Sequence, residues 1–314
     1  MSIGGCESVR LSRDETRSGN TARCFYCRWV RCIFRRPGGI GFPFVFFASI
    51  LAGMELEGPD KGRQKVIVVM PAYNAAKTLR ITYDAMPMEN IDHVILVDDG
   101  SNDETLKIAK ELKLEVFVHA RNFGYGANQK TCYTEALKAG ADIVVMLHPD
   151  YQYDPALLPQ VIAPIKAGNA DVVLGSRLLQ GHAVAQGMPW WKFLGNRCLT
   201  WLENRVLGLD LAEYHTGYRA YNRPVLEAVP FLLNSDNFVF DQEFIVQAAH
   251  MGFRIEEVPV PTRYFAEASS VGFWASVNYG FSILFLLGRY LLHRLSLVDQ
   301  KQFECFAERY RRVE

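Results

Sequence analysis

The chain has 314 residues, with 34 lysines and arginines against 34 acidic residues and hence no formal net charge. That balance excludes a global basic field of the kind that gathers nucleic acid, and it supplies no overall attraction to an anionic surface. The length suits one large α/β domain or two modest ones, and 49% hydrophobic residues are enough to fill a core.

Residues 1–53 differ from the rest, with eight arginines, no lysine and four of the seven cysteines. Arg35 and Arg36 followed by the apolar run 40–53 imitate a signal peptide or a short anchor, although the run is too short to span a bilayer comfortably. Cys24 and Cys27 have the spacing of a zinc pair, but no second Cys or His pair follows at finger distance. The segment is expected to be foreign to the domain, with Met54 as the native start. The three cysteines of the body, Cys132, Cys198 and Cys305, fit a reduced, cytosolic protein.

From residue 65 a regular alternation begins. An apolar strand is expected over 66–70, a turn over 71–74, and a helix over 75–86 capped by Asn74. A strand over 93–97, a helix over 103–112 behind Ser101 or Asn102, a strand over 115–119 and a helix over 126–139 ending at Gly140 follow. Apolar runs at 143–147 and 171–174 add strands, giving the rhythm of a parallel sheet with helices on both faces. Beyond Gly175 the rhythm loosens. A helix mixing aromatic and charged residues is expected over 190–207, where an acceptor-side subdomain would sit, then a helix over 238–251 and a strand over 255–260 that Pro259 and Pro261 confine to an edge.

Residues 271–288 contain no charge and are closed by Arg289, His293 and Arg294. Asn278, two serines and several glycines make this a poor spanning helix, so it reads as an amphipathic helix at a membrane interface or as a helix packed on the domain. Trp190, Trp191, Trp201 and Trp274 suit an amphipathic ligand or a lipid interface as well as a core. The expected organisation is a nucleotide-binding core over 54–230, an acceptor-side part of the same domain over 231–270, and an apolar helix with a charged tail over 271–314.

Two acidic clusters carry the functional reading. Asp98-Asp99-Gly100-Ser101 and His148-Pro149-Asp150-Tyr151-Gln152 each follow an apolar strand, and in open α/β sheets the ligand crevice lies outside those strand ends. Asp98 and Asp99 can bond a base or ribose or face a metal. His148, Asp150 and Gln152 alternate, so an extended chain would turn them to one side, and oxygen ligands from Asp150 and Gln152 favour Mg²⁺ or Mn²⁺. A contribution from His148 would tilt the choice to Mn²⁺. The run from Arg121 to Gly126 is glycine-rich and opens a helix whose free amides favour anions. It lacks the third glycine of a dinucleotide fingerprint, and no P-loop is present.

Val-Met-Pro-Ala-Tyr-Asn at 69–74, Val-Asp-Asp-Gly-Ser at 97–101, Arg-Asn-x-Gly-x-Gly at 121–126, Asp-x-Gln at 150–152, Gly-Ser-Arg at 175–177 and Thr-Gly-Tyr-Arg at 216–219 occur in that order. The series resembles family 2 glycosyltransferases, most of all the polyprenyl-phosphate branch typified by dolichol-phosphate mannose synthases. The resemblance implies a GT-A fold, a UDP- or GDP-sugar donor, Mg²⁺ or Mn²⁺, and inversion at the anomeric carbon. It further implies that Pro71, Tyr73 and Asp98 or Asp99 hold the nucleotide, with Arg121 and Gly126 nearby, and that Asp150 and Gln152 hold the metal. Arg177, Lys192, Asn196, Arg219 and Arg263 become candidates for donor or acceptor contacts. Two departures stand out: His148 replaces the first Asp of the usual Asp-x-Asp-x-Gln, and Glu213 replaces an Asp before the Thr-Gly-Tyr-Arg motif.

Inverting transfer requires charge on the departing diphosphate to be stabilised as the acceptor oxygen arrives from the opposite face. A polyprenyl phosphate is already anionic and needs no general base, whereas a hydroxyl acceptor needs a carboxylate such as Asp241, Glu243 or Asp236. The lipid phosphate is the expected acceptor, with the protein cytoplasmic and peripheral on the membrane. A hydroxyl acceptor of a cell-surface polysaccharide and a non-catalytic sugar-nucleotide binder are the alternatives.

Overall fold

The structure is a computed structural model that describes residues 63–179, 188–261 and 272–304. The expected N-terminal extension, with its cysteine pair and apolar run, and Arg263 with its loop lie outside these residues.

Seven strands form one sheet: β1 (Val66–Ala72), β2 (His93–Asp98), β3 (Glu115–Val118), β4 (Ile143–Met146), β5 (Val172–Ser176), β6 (Arg219–Asn222) and β7 (Ile255–Pro259). Their order across the sheet is β3-β2-β1-β4-β6-β5-β7. All pairings are parallel except those of β6, which runs antiparallel between β4 and β5. The sheet is thus mostly parallel, as expected, with β6 as its one antiparallel strand.

Eight helices accompany the sheet among the described residues: α1 (Leu79–Asp84), α2 (Thr105–Glu111), α3 (Tyr125–Lys138), α4 (Leu158–Lys166), α5 (Trp190–Leu207), α6 (Arg223–Ala228), α7 (Phe240–His250) and α8 (Phe273–Arg294). Every residue of β1, β4 and β5 is buried, the mark of strands covered on both faces. Alternate residues serve opposite layers. Val66, Val68 and Met70 pack with Leu79, Ala109 and Val161 on one face, while Ile67 and Val69 pack with Tyr133, Phe240 and Phe244 on the other.

The helix expected over 75–86 is shorter. Asn74 adopts a left-handed φ of 52° and is not a cap: its Oδ1 accepts from the Asn102 amide at 2.9 Å, and its own amide donates to Ser101 Oγ at 2.8 Å. Thr105 Oγ1 accepts from the Ala75 amide at 2.8 Å, so the turns after β1 and β2 are laced together.

The C-terminal helix α8 packs on the domain through Ile283, Leu286, Leu287 and Tyr290, which meet Val246, Leu199 and Leu202. Its opposite side exposes Trp274, Phe281 and Phe285. Residues Trp274–Arg294 are also long and apolar enough to cross a membrane by length and composition.

Candidate active site

The ends of β1, β2, β4 and β5 and the start of the antiparallel β6 meet at one edge of the sheet, which brings Tyr73, Asp98, Asp99, His148, Asp150, Arg177 and Arg219 together. β1 lies between β2 and β4, so the chain leaves it in both directions, the switch point at which open α/β sheets bind their ligands. Asn128 ties the ends of β1 and β2 together, its Nδ2 donating to the carbonyls of Ala72 at 3.3 Å and Val97 at 3.1 Å.

Pro71 is buried in β1 and Tyr73 stands half exposed beyond it. The two adjacent aspartates diverge. Asp98 is buried, its Oδ2 accepting from the Ser101 amide at 2.9 Å while Oδ1 has no hydrogen-bond partner among the described residues. Asp99 spends its oxygens on the glycine-rich loop, accepting from the amides of Phe123 and Gly124 at 2.9 Å each and pairing with His119 Nδ1 at 2.7 Å. Asp99 thus shapes the loop that carries Arg121, whose guanidinium lies 5.0 Å from the Phe123 ring centroid.

Gly126, expected beside the nucleotide, has its amide occupied by the Asp236 carbonyl at 2.8 Å. A Cβ there would lie 2.3 Å from the Ser235 carbonyl oxygen and 2.9 Å from Phe240 Cβ. Gly126 is therefore a packing glycine at the start of α3, and Gly126→Ala is expected to cost about 1–3 kcal/mol of stability, visible as a lower Tm in thermal denaturation.

At the end of β4, Asp150 Oδ1 accepts from the Gln152 amide at 3.0 Å, and Tyr151 takes a left-handed φ of 57° to make the turn. His148 is drawn away from that turn. Its ring stacks on Tyr125 with centroids 5.4 Å apart, its Nε2 lies 3.2 Å from Tyr125 Oη, and a Cβ on Gly217 would come within 2.8 Å of its Cδ2. Burial holds the His148 pKa below the ordinary histidine value, with Asp150 and Asp241 pulling it partly back. Tyr125 Oη donates to Asp241 at 2.8 Å, Gln129 Nε2 donates to the same carboxylate at 3.0 Å, and burial together with the Asp241 charge raises the Tyr125 pKa well above the phenol range. Tyr125, Gln129 and Gly217 carried no sequence signal of this role. Only the pairing of β4 with β6 brings Gly217 to the histidine.

Arg219 is 1% exposed. Its guanidinium donates to the carbonyls of Thr216 at 2.6 Å and of Asp241 and Tyr214 at 3.1 Å, and lies 3.5 Å from the Asp241 carboxylate. Burial is the largest influence and lowers its pKa, but Asp241 together with Tyr221, Tyr125 and Tyr133 outweighs it and leaves the pKa raised. With each of its three nitrogens donating to a backbone carbonyl, Arg219 braces the segment before β6 and holds Asp241.

Arg177 lies just past β5. Its Nε donates to Glu213 Oε1 at 2.9 Å, its backbone amide to Glu213 Oε2 at 2.8 Å, and its Nη2 to the His215 carbonyl at 2.7 Å, with a further contact from Nη2 to Glu213. Asn196 Nδ2 donates to the same Glu213 oxygen at 2.8 Å. Glu213 is in turn seated by Glu257 on β7, which accepts the amides of Ala212 and Glu213.

Asn196 lies on α5, whose buried positions are polar while Leu199 and Leu202 are half buried against α8. The buried residues of α5 are Asn196, Thr200 and Glu203, whereas Trp190 is 71%, Leu194 60% and Trp201 64% exposed. Lys192, four residues before Asn196, is half buried on the inner side with its Nζ 5.4 Å from the Trp191 ring centroid. Burial, and then the neighbouring Arg177 charge, lower its pKa below the ordinary lysine value.

Comparison with known proteins agrees with this geometry. The chain is 29% identical to the UDP-N-acetylglucosamine–dolichyl-phosphate N-acetylglucosaminyltransferase of Methanococcus voltae, over 71% of this chain and 94% of that one. It is 29% identical to the polyprenol monophosphomannose synthase of Mycolicibacterium smegmatis, over 63% of this chain and 77% of that one. Among solved structures, glucosyl-3-phosphoglycerate synthase from Mycobacterium tuberculosis in complex with Mn²⁺, UDP and glucosyl-3-phosphoglycerate superimposes with a TM-score of 0.57 at 20% identity, over 76% of this chain and 82% of that one, and so shares the fold. The model of the family described as Glycosyl transferase family 2 matches residues 67–229, more than half of the chain. With the ordered motifs set on a GT-A sheet, the chain belongs to glycosyltransferase family 2 and is a glycosyltransferase.

Proposed function

We propose that this glycosyltransferase moves a sugar, with inversion, from a nucleotide-diphosphate sugar to a polyprenyl phosphate at a membrane surface. The observation that carries the reading is α5, which turns Lys192 and Asn196 inward beside Arg177 while its outer side offers Trp190, Leu194 and Trp201. One helix thus joins a cationic seat for a phosphate to an apolar stripe suited to lipid. The relatives whose names specify dolichyl or polyprenol phosphate support the same acceptor class.

The carboxylates support it too. A hydroxyl acceptor would need a base, yet Asp241 is bound to Tyr125, Gln129 and Arg219, Asp236 pairs with Lys130 at 2.6 Å, and Glu243 accepts the Ser235 amide at 2.6 Å. An anionic phosphate oxygen needs none of them. Pro71, Tyr73 and Asp98 would then border the nucleotide, with Asp98 Oδ1 as an acceptor awaiting a donor.

A divalent metal fits the end of β4 only as a shared ligand set. Among the described residues no group of three or more His, Cys, Asp and Glu side chains could hold an ion. Asp150, whose Oδ2 takes no hydrogen bond from a described residue, would hold Mg²⁺ or Mn²⁺ with Gln152, leaving the other positions to the donor diphosphate and water. When bound, the ion would neutralise charge on the departing diphosphate as a Lewis acid. Solved structures of the fold that contain Mn²⁺ or Mg²⁺ with UDP support this assignment. His148, held against Tyr125 and Gly217, is not needed in the set.

Incubating the full chain with radiolabelled UDP- and GDP-sugars and undecaprenyl phosphate should yield a lipid-extractable product with at least one donor. Donor consumption without any lipid product would refute the acceptor. The Lys192 shift adds a second check. Bound phosphate favours protonated Lys192, so binding of undecaprenyl phosphate should weaken as pH rises through the free-enzyme pKa. That break is expected below the ordinary lysine range and should vanish in Lys192→Met.

A further inference from the structure

Beneath α8 lies a buried polar cluster that the transfer chemistry does not use. His215 Nε2 is 3.3 Å from Glu203 Oε2, with the side chains 9% and 1% exposed. On the other side of the ring, Nδ1 lies 3.1 Å from Gln242 Nε2 and 3.5 Å from Tyr279 Oη, and the Tyr279 ring meets the imidazole edge-on at 5.8 Å. Since Gln242 Nε2 can only donate, this arrangement assigns the proton to His215 Nε2, facing a Glu203 carboxylate that has no hydrogen-bond donor of its own. Four elements converge on one imidazole: α5 through Glu203, α7 through Gln242, α8 through Tyr279, and the segment before β6 through His215 itself.

The backbone of His215 faces the other way. Its carbonyl accepts from Arg177 Nη2 at 2.7 Å, two residues after Glu213, which accepts from Nε of the same guanidinium. We infer that His215 is a positioning residue through which the seating of α8 against α5 sets the orientation of Arg177 toward the acceptor phosphate. The phosphate contact of Arg177 rests on the function proposed above; the coupling is new. Apart from the His215–Glu203 contact, the carboxylate of Glu203 and Oε1 of Gln242 find no hydrogen-bond partner among the described residues, so the buried cluster has little slack: each group is desolvated and its remaining contact must be kept. A shift of α8 that moves Tyr279 therefore moves the imidazole, and with it the carbonyl that restrains Arg177.

A double-mutant cycle on the full chain tests this, reading the Kd for undecaprenyl phosphate in detergent micelles against micelles without it, with Tm as the fold control. Arg177→Ala is expected to weaken binding about tenfold or more, as for loss of a charged hydrogen-bonding partner. His215→Ala should weaken it about fivefold and Tyr279→Phe about twofold, and neither should add to the Arg177→Ala loss, because each acts through that side chain. Should His215→Ala fail to fold, Tyr279→Phe carries the cycle. If the losses multiply, or if both variants bind like wild type while Arg177→Ala binds weakly, the coupling is overturned and the acceptor reading stands. If Arg177→Ala binds like wild type, the acceptor role of Arg177 fails and the coupling with it.

Discussion

Asp150→Ala is expected to lower sugar transfer by about 10³-fold, the scale seen when a preorganised group that stabilises transition-state charge is deleted. The loss should appear in turnover and also in metal-dependent donor binding, measured by calorimetry with UDP- and GDP-sugars with and without Mn²⁺. The turn at the end of β4 complicates an alanine variant, because Asp150 Oδ1 also accepts the Gln152 amide and helps Tyr151 hold its left-handed φ. Asp150→Asn separates the two roles. Its amide oxygen can still accept from Gln152, so the turn and Tm should persist, while the charge that would neutralise an ion is gone. An Asp150→Asn enzyme that binds donor with full metal dependence would remove Asp150 from the metal site.

Arg219→Met should act through the fold instead. The substitution leaves the carbonyls of Tyr214 and Thr216 without their guanidinium bonds and strips Asp241 of its only cationic partner among the described residues. Breaking a buried pair from one side costs about 3–5 kcal/mol, which urea denaturation would show as a lower midpoint with an unchanged slope. Any activity lost should follow the folded fraction and return at lower temperature. A variant as stable as wild type but inactive would instead place Arg219 in the chemistry, as its position in the Thr-Gly-Tyr-Arg motif suggests. The two predictions differ because Asp150 is half buried and Arg219 is fully buried.

The strands β1, β2, β4 and β5 were legible because a strand covered on both faces must be an unbroken apolar run. β6 was not. Its four residues begin with Arg219 and end with Asn222, and the polarity is resolved by partners on α7 and beyond β4 that only the folded chain supplies. α4 was hidden by Pro159 and Pro164, although Leu158, Val161, Ile162 and Ile165 keep the helical spacing of a buried face. At the site, sequence placed the acidic turns at the strand ends but could not divide the labour of Asp98 and Asp99. That division depends on where the loop at Phe123 and Gly124 folds back, more than twenty residues later. The role of Glu213 was likewise visible only as a departure from a motif; the structure shows the longer side chain reaching both the backbone and the guanidinium of Arg177.

The two sides of α5 also set a distance. An α-helix with its side chains is about 10–12 Å across, so the outer stripe of Trp190 and Trp201 and the inner groups Lys192 and Asn196 are separated across the axis by about one helix thickness. With the outer stripe at the level of lipid headgroups, a phosphate carried on a long isoprenoid need move only that far to reach its seat. Under the proposed function the hydrocarbon tail would stay in the bilayer throughout a turnover, and the energetic cost of extracting it would not enter the reaction.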